Sequence, residues 1–156
     1  MLSTWVLRGP LNVEMQAVAS SHDDWHKATQ ENHPCNVWLR ESHSNVKWLY
    51  SHLVGIIAEY DYRFGEPDTY VRIRRQIPVL RRILGAAPNG MMTPPALVMP
   101  EEFRRPAENM AQAVEPYRAY YLADKLAGAD YKIRERPHWF PPVAIRASID
   151  PRSIVI

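Results

Sequence analysis

The sequence predicts an all-α protein: a single compact helical domain with a proline-rich packed loop and an extended C-terminal tail. Three observations carry this expectation. Apolar residues recur at helical spacing over three stretches, near 43–64, 68–84 and 110–131. Capping residues and a glycine stop bracket the first of these. Pro88, Gly90, Pro94, Pro95 and Pro100 break the chain between the second and the third. A chain of 156 residues that is 46% hydrophobic and 10% aromatic is long enough and apolar enough for one domain with a core.

Residues 1–31 are the least readable part. Trp5, Val6, Leu11, Val13, Met15 and Val18 follow no single period, and Ser20–Asp24 reads as a loop. The segment reads as the remnant of a longer N-terminus, expected to pack poorly or to lean on a neighbouring molecule. From Asn32 the pattern sharpens. Asn32 or His33 caps a short helix that has Pro34 at its first position and runs to about Glu41. Ser42 or Ser44 caps a longer helix, in which Val46, Leu49, Leu53, Ile56, Ile57, Tyr60 and Phe64 recur at helical spacing. Gly65 ends it at the position where glycine is favoured, and Glu59 and Arg63 form a supporting pair four residues apart.

A third helix is expected from about Asp68 to Leu84 on the stripe Tyr70, Ile73, Ile77, Leu80 and Leu84. Pro78 should kink or split it. The loop Gly85–Pro100 should pack through Met91, Met92, Leu97, Val98 and Met99. Glu101–Arg105 suits one helical turn. The last helix is expected from about Asn109 to Tyr131, with Met110, Val114, Tyr117, Tyr121, Asp124, Gly128 and Tyr131 on one stripe and Pro116 near its start. His138-Trp139-Phe140-Pro141-Pro142 makes a rigid exit, and the remaining tail alternates weakly. Internal repeats and low-complexity tracts are absent from the sequence.

The formal net charge of +2 excludes an acidic disordered chain or a long basic arm. It conceals an asymmetry: residues 1–62 carry −3 and residues 63–156 carry +5. Arg72, Arg74, Arg75, Arg81 and Arg82 make the densest cluster, with Lys132, Arg134 and Arg136 after it. Arginine suits bidentate phosphate contact, so this is either a phosphate-tracking face or a solvated helix surface. Every apolar run is interrupted well short of a membrane span, and the chain opens on no charged-then-apolar leader. A soluble, cytoplasmic protein with no membrane partner is the expectation.

Four constellations could carry chemistry. His33, Cys35, His43 and His52 match no common zinc spacing, and a lone cysteine offers no disulfide, so neither metal nor cofactor is expected. Arg40, Glu41, Asn45 and Lys47 surround a helix junction. They read either as a network fixing the angle between two helices or as a site with Glu41 as general base and Arg40 as anion ligand. Asp124 faces tyrosines on the last stripe, with Lys125 beside it. A carboxylate partly buried there would have a raised pKa and serve as an acid–base group, or would form a structural Tyr–Asp network. Tyr131, Lys132, Arg134, Arg136, His138, Trp139 and Phe140 interleave aromatics with bases, which suits either base stacking beside phosphates or an ordinary C-terminal anchor.

The run Asn32-His33-Pro34-Cys35-Asn36-Val37-Trp38-Leu39-Arg40-Glu41-Ser42, continuing to Trp48-Leu49, resembles an uncharacterised family of tailed-phage proteins. Glu59-Tyr60 with Arg63-Phe64-Gly65, Thr93-Pro94, Met99-Pro100-Glu101-Glu102-Phe103 and Tyr117-Arg118-Ala119-Tyr120-Tyr121 with Lys125 extend the likeness. Pro137-His138-Trp139-Phe140 closes it, so it covers roughly residues 27–140. Members of that family reach a sequence like Met1-Leu2-Ser3-Thr4 only after a strand-like segment and a basic helix, so the resemblance implies a shortened N-terminus. A weaker likeness, to the pyrimidine-dimer DNA glycosylases of large phages, rests on four features. These are a His that opens a long helix, a Pro-Glu-Phe-Arg-type segment, a Lys-containing helix, and the exit Arg136-Pro137-His138-Trp139-Phe140. Those enzymes are all-α and attack a damaged nucleotide with an N-terminal amine assisted by a glutamate, a segment without a counterpart here.

Together these readings imply a phage-type DNA-binding protein related to base-excision glycosylases, acting in the host cytoplasm. Glu41, Asp124 and Lys125 are the candidate catalytic groups. Arg40, the α-helical arginines, Lys132, Arg134, Arg136 and Trp139 are the candidate DNA contacts. His33, Asn45, Tyr117 and Tyr121 are candidate site walls. The rivals are a non-enzymatic helical interaction module, binding a protein partner or a second copy through its N-terminal segment, and a small enzyme acting on nucleotides or modified bases.

Overall fold

A computed structural model describes residues 1–65, 70–129, 131 and 134–141. The helices are α1 (Leu2–Arg8), α2 (Val13–Ser20), α3 (Pro34–Glu41), α4 (His43–Phe64), α5 (Val71–Gly85) and α6 (Met110–Tyr120). Single 3-10 turns lie at Glu101–Phe103 and Leu126–Gly128, and no strand occurs among the described residues. The protein is all-α. It divides into two compact units, Met1–Ala96 and Leu97–Ile156. Among the described residues, no helix is long and apolar enough to cross a membrane.

In the first unit, side-chain caps set three of the helix starts. His33 Nδ1 accepts from the Cys35 N–H at 3.2 Å and so opens α3, with Pro34 in its first turn. Ser42 Oγ accepts from the Ser44 N–H at 3.1 Å and opens α4. Asn12 caps α2 through the Met15 N–H, and its amide reaches the Ala86 carbonyl just past α5. Gly65 ends α4 at φ 83°, a conformation that a side chain would strain. The expected Glu59–Arg63 pair closes at 2.6 Å.

α5 packs along α2 and α4, and buries Gln76, Leu80, Ile83 and Leu84. Its start differs slightly from the expected one, and positions 68 and 69 lie outside the described residues. Pro78 does not split it. The residue is exposed, so the backbone carbonyl that loses its partner is on the side where water can replace it.

Residues 1–31, expected to pack poorly, divide: α1 and Met15 are buried, while Leu7, Val13 and most of the segment up to Glu31 are exposed or half-buried. α1 is among the most buried elements described, with Trp5 at 2% exposure and Leu2, Ser3, Thr4 and Val6 also buried. Its polar residues are satisfied there. Ser3 Oγ donates to Gln76 Oε1, and Thr4 Oγ1 both donates to the Thr29 carbonyl and accepts from the Thr29 N–H. Gly9 lets the chain leave α1 close against Trp5: a Cβ there would lie 2.7 Å from the indole Cδ1. Met15 of α2 is fully buried.

The second unit gathers Met99, Phe103 and Ala119 into a small core, with Leu97, Tyr117 and Tyr120 against it. Asn109 caps α6 through the Gln112 N–H, and Gln112 returns the bond by accepting from the Glu108 N–H. The long final helix expected to Tyr131 ends sooner. α6 gives way to a π segment at Tyr121–Lys125 and a 3-10 turn at Leu126–Gly128, after which Ala129 is extended. The apolar stripe is also rotated from the expected one: Ala113, Pro116, Ala119 and Leu122 are buried, while Val114 and Tyr121 are exposed. Small residues and a proline mark the packed side, so it lacks the bulky apolar signal that identifies a core face. Pro116 sits well inside α6 and not at its start.

Candidate nucleic-acid interface

The five arginines of α5 have separate fates. Arg72 pairs with Asp24 at 2.8 Å and donates to the Trp25 carbonyl at 2.6 Å. Arg74 forks onto both carboxylate oxygens of Asp61 on α4, with Nη1 to Oδ2 at 2.9 Å. Hydrogen bonding and charge from Arg74 hold the Asp61 carboxyl below its ordinary range, against a smaller opposing effect of burial. Arg74 is therefore not on an open face, because the Asp61 carboxylate of the preceding helix takes up its fork. Arg75, Arg81 and Arg82 are exposed, and none forms an ion pair among the described residues. Arg75 and Arg82 stand two helical turns apart on one side of α5, with exposed Pro78 between them.

Glu41, Asn45 and Lys47 form a clamp on the loop that follows α5, and Arg40 bonds elsewhere. Asn45, fully buried, donates to the Trp38 carbonyl at 2.8 Å and to Thr93 Oγ1 at 2.7 Å, and accepts from the Thr93 N–H at 3.0 Å. Thr93 Oγ1 donates to Glu41 Oε2 at 2.8 Å, and the Trp38 indole donates to the Thr93 carbonyl. Lys47 holds the Ala87 carbonyl and the Asn89 side chain, and Ser44 donates to the Gly90 carbonyl. Arg40 donates to the Glu31 carbonyl at 2.8 Å. Glu41 Oε2 thus serves as an acceptor in the clamp, and the residue is exposed. The expected apolar anchoring of Gly85–Pro100 holds only in part: Leu97 and Met99 pack on a core, while Met91, Met92 and Val98 are exposed and Thr93 is held by polar contacts. His33 acts as a helix cap, and Tyr117 accepts from the Val98 N–H at 3.4 Å.

In the second unit the π segment turns Tyr121 and Lys125 toward a cavity of about 430 Å³. Tyr120, Tyr121, Lys125, Leu126, Tyr131 and Phe140 line it. Tyr131 and Phe140 meet edge to face at 5.3 Å, and Trp139 packs on Phe140 at 4.4 Å. The Arg118 guanidinium lies over the Trp139 ring at 5.2 Å, and Lys125 Nζ lies 5.5 Å from the Tyr120 centroid. Trp139 is half-buried, and Arg134 and Arg136 are exposed nearby in sequence; Lys132 lies outside the described residues.

Asp124 corrects the acid–base expectation. It is about half exposed and pairs with Lys125 at 2.7 Å. Hydrogen bonds from Lys125 and Tyr120 pull its carboxyl below the ordinary range, and in turn Asp124 and Tyr120 push the Lys125 ammonium upward. Both groups are charged at neutral pH, the opposite of a raised acid or a depressed amine nucleophile. The expected partner tyrosine also changes, from Tyr121 to Tyr120, because the π segment shifts the register of the turn. Tyr120 is the residue sequence reasoning missed; its signal was the adjacent pair Tyr120-Tyr121 followed by Lys125.

The imidazoles do not converge. His43 contacts the Pro10 carbonyl and the edge of Trp5, and His52 stacks on Trp48 at 5.1 Å. Burial pushes the Cys35 thiol upward, toward the unreactive form. Among the described residues, no three of His, Cys, Asp and Glu come together as a metal site. Compared with known proteins, the chain matches no protein-family model, no curated protein and no solved structure.

Proposed function

We propose that this chain is a DNA-binding protein whose second unit takes an unstacked base into the cavity between Tyr120, Tyr121, Tyr131 and Phe140. The aromatic lining is the observation that carries the reading. Four rings offer flat apolar faces or edges to a nucleobase, and Lys125, paired with Asp124, lines the same cavity. Arg75, Arg81 and Arg82, unpaired among the described residues, suit phosphate contacts that carry no sequence information. The likeness to pyrimidine-dimer glycosylases favours DNA as the partner. The reading is one of binding: Asp124 and Lys125 are paired and charged, and Glu41 is held by Thr93.

The test is anisotropy of a labelled single-stranded oligonucleotide titrated with the full chain at low salt. Phe140→Ala and Tyr131→Ala should each weaken binding by about 1–3 kcal/mol, the usual worth of a stacked base. Arg81→Ala with Arg82→Ala should lower the slope of log affinity against log salt by up to about two units while leaving stacking intact. Absence of binding to single strands at low salt overturns the proposal and leaves the interaction module in its place.

A further inference from the structure

A second cavity, of about 330 Å³, lies in the first unit among α1, α4, α5 and the segment before α3. Its apolar wall is made by Leu2, Leu49, Leu53, Ile56 and Ile73. Its size and lining are those of a small-molecule pocket, apolar with a few converging polar groups. Those polar groups are of two kinds. Ser3 and Gln76 are buried, at 7% and 4% exposure, and form the floor. Lys27, His26 and His52 stand at the same cavity, and no carboxylate lines it.

The floor is built and not fully used. Gln76 Oε1 accepts from Ser3 Oγ at 3.3 Å, and Gln76 Nε2 donates to the Asp24 carbonyl at 2.6 Å. An amide nitrogen carries two hydrogens and a hydroxyl oxygen two lone pairs, so each group keeps capacity beyond these bonds. Lys27 and His26 are exposed and form no ion pair among the described residues. The Lys27 ammonium and the neighbouring hydrogen-bonding groups beside an aliphatic wall select an anion with an apolar body. A cation is disfavoured by Lys27, and a wholly apolar molecule gains nothing from the polar side.

We infer that this cavity binds a small amphiphilic carboxylate, its hydrocarbon body against Leu49, Leu53, Ile56 and Ile73 and its carboxylate toward Lys27 and His26. The site is separate from the aromatic cavity and does not depend on the DNA-binding reading.

Decanoate is the probe, titrated into the full chain below its micelle concentration and followed by the methyl resonances of Leu49, Leu53 and Ile73. Decanol and decylammonium share its chain and change only the head group. Decanoate should shift those methyls at one equivalent. Decanol should bind about tenfold more weakly, since it forgoes the charged hydrogen bond, and decylammonium more weakly still. Lys27→Ala, at an exposed position where the fold is indifferent, should cost decanoate about two- to fivefold and leave decanol unchanged. Methyls that do not move with decanoate overturn the inference. Equal binding of decanoate and decanol, or a Lys27→Ala protein that binds decanoate as the parent does, also overturns it.

Discussion

α1 and α4 are opposites. α1 has seven residues and no readable period, yet five of them are buried. α4 has 22 residues, caps at both ends and a regular apolar stripe, yet only Asn45 and Val46 are buried. Leu49, Leu53, Ile57 and Tyr60 are half-covered, while Ile56 and Phe64 are about half exposed. A helical period states which face of an element can be buried. How much of that face is covered depends on what the rest of the chain brings to it. α1 shows the converse: a short element can be central when its polar side chains find partners, as Ser3 and Thr4 do.

This contrast ranks the effects of substitution. The largest belongs to α1. Trp5→Ala removes a ring at 2% exposure and leaves a cavity lined by the helix and His43, at a cost of about 3–5 kcal/mol. That is a large share of the roughly 5–15 kcal/mol that a domain possesses. Urea denaturation of the two proteins would measure it. A loss below about 1 kcal/mol would mean that α1 is peripheral and that the contrast with α4 is false.

A smaller effect is expected where α4 is tied down. Asp61 and Arg74 join the far end of α4 to α5, with both side chains about a quarter exposed. Asp61 has its carboxyl lowered by the Arg74 hydrogen bond and charge, so it binds fewer protons folded than unfolded. Its contribution is therefore full above the ordinary aspartate range and is lost as pH falls through the lowered folded value. Asp61→Asn should denature at lower urea than the parent at pH 7, and the two midpoints should converge as pH falls below the lowered folded value. Midpoints that stay equally separated in acid would assign the effect to packing and not to charge.

The same physics explains what could be read beforehand. α3, α4 and α5 were legible because they combine a bulky periodic stripe with punctuation such as Pro34, Ser42 and Gly65. α1 was not, because two of its buried positions are hydroxyl residues and seven residues make barely two turns. α6 was found but misrotated, since its packed side is Ala113, Pro116 and Ala119, and its end was overrun because nothing local announces a π segment. In the candidate site, Lys125 and Tyr121, both flagged from the sequence, line one cavity. The role of Asp124 was not legible, because its misassigned side of the helix made an exposed carboxylate look buried. The loop clamp was half legible: Asn45 and Glu41 were flagged, but Thr93 joins them from 48 residues beyond Asn45, a distance no local pattern spans.

The finest discrimination comes from one substitution made in both helices. Val6 of α1 is 5% exposed and Val54 of α4 is 38% exposed. Val→Ala removes about two methylene equivalents, near 0.8 kcal/mol each when fully buried, with a further term for any cavity. In a helix the same change returns about half a kcal/mol, because alanine escapes the χ1 restriction of a β-branched side chain. At Val6 the burial loss exceeds the propensity gain, so Val6→Ala should destabilise by about 1–2 kcal/mol. At Val54 only part of the side chain leaves a contact, and the two contributions nearly cancel. Val54→Ala should therefore lie within about 0.5 kcal/mol of the parent. Paired urea curves resolve the difference, and equal losses at both positions would show that α4 is covered where its exposed valine says it is open.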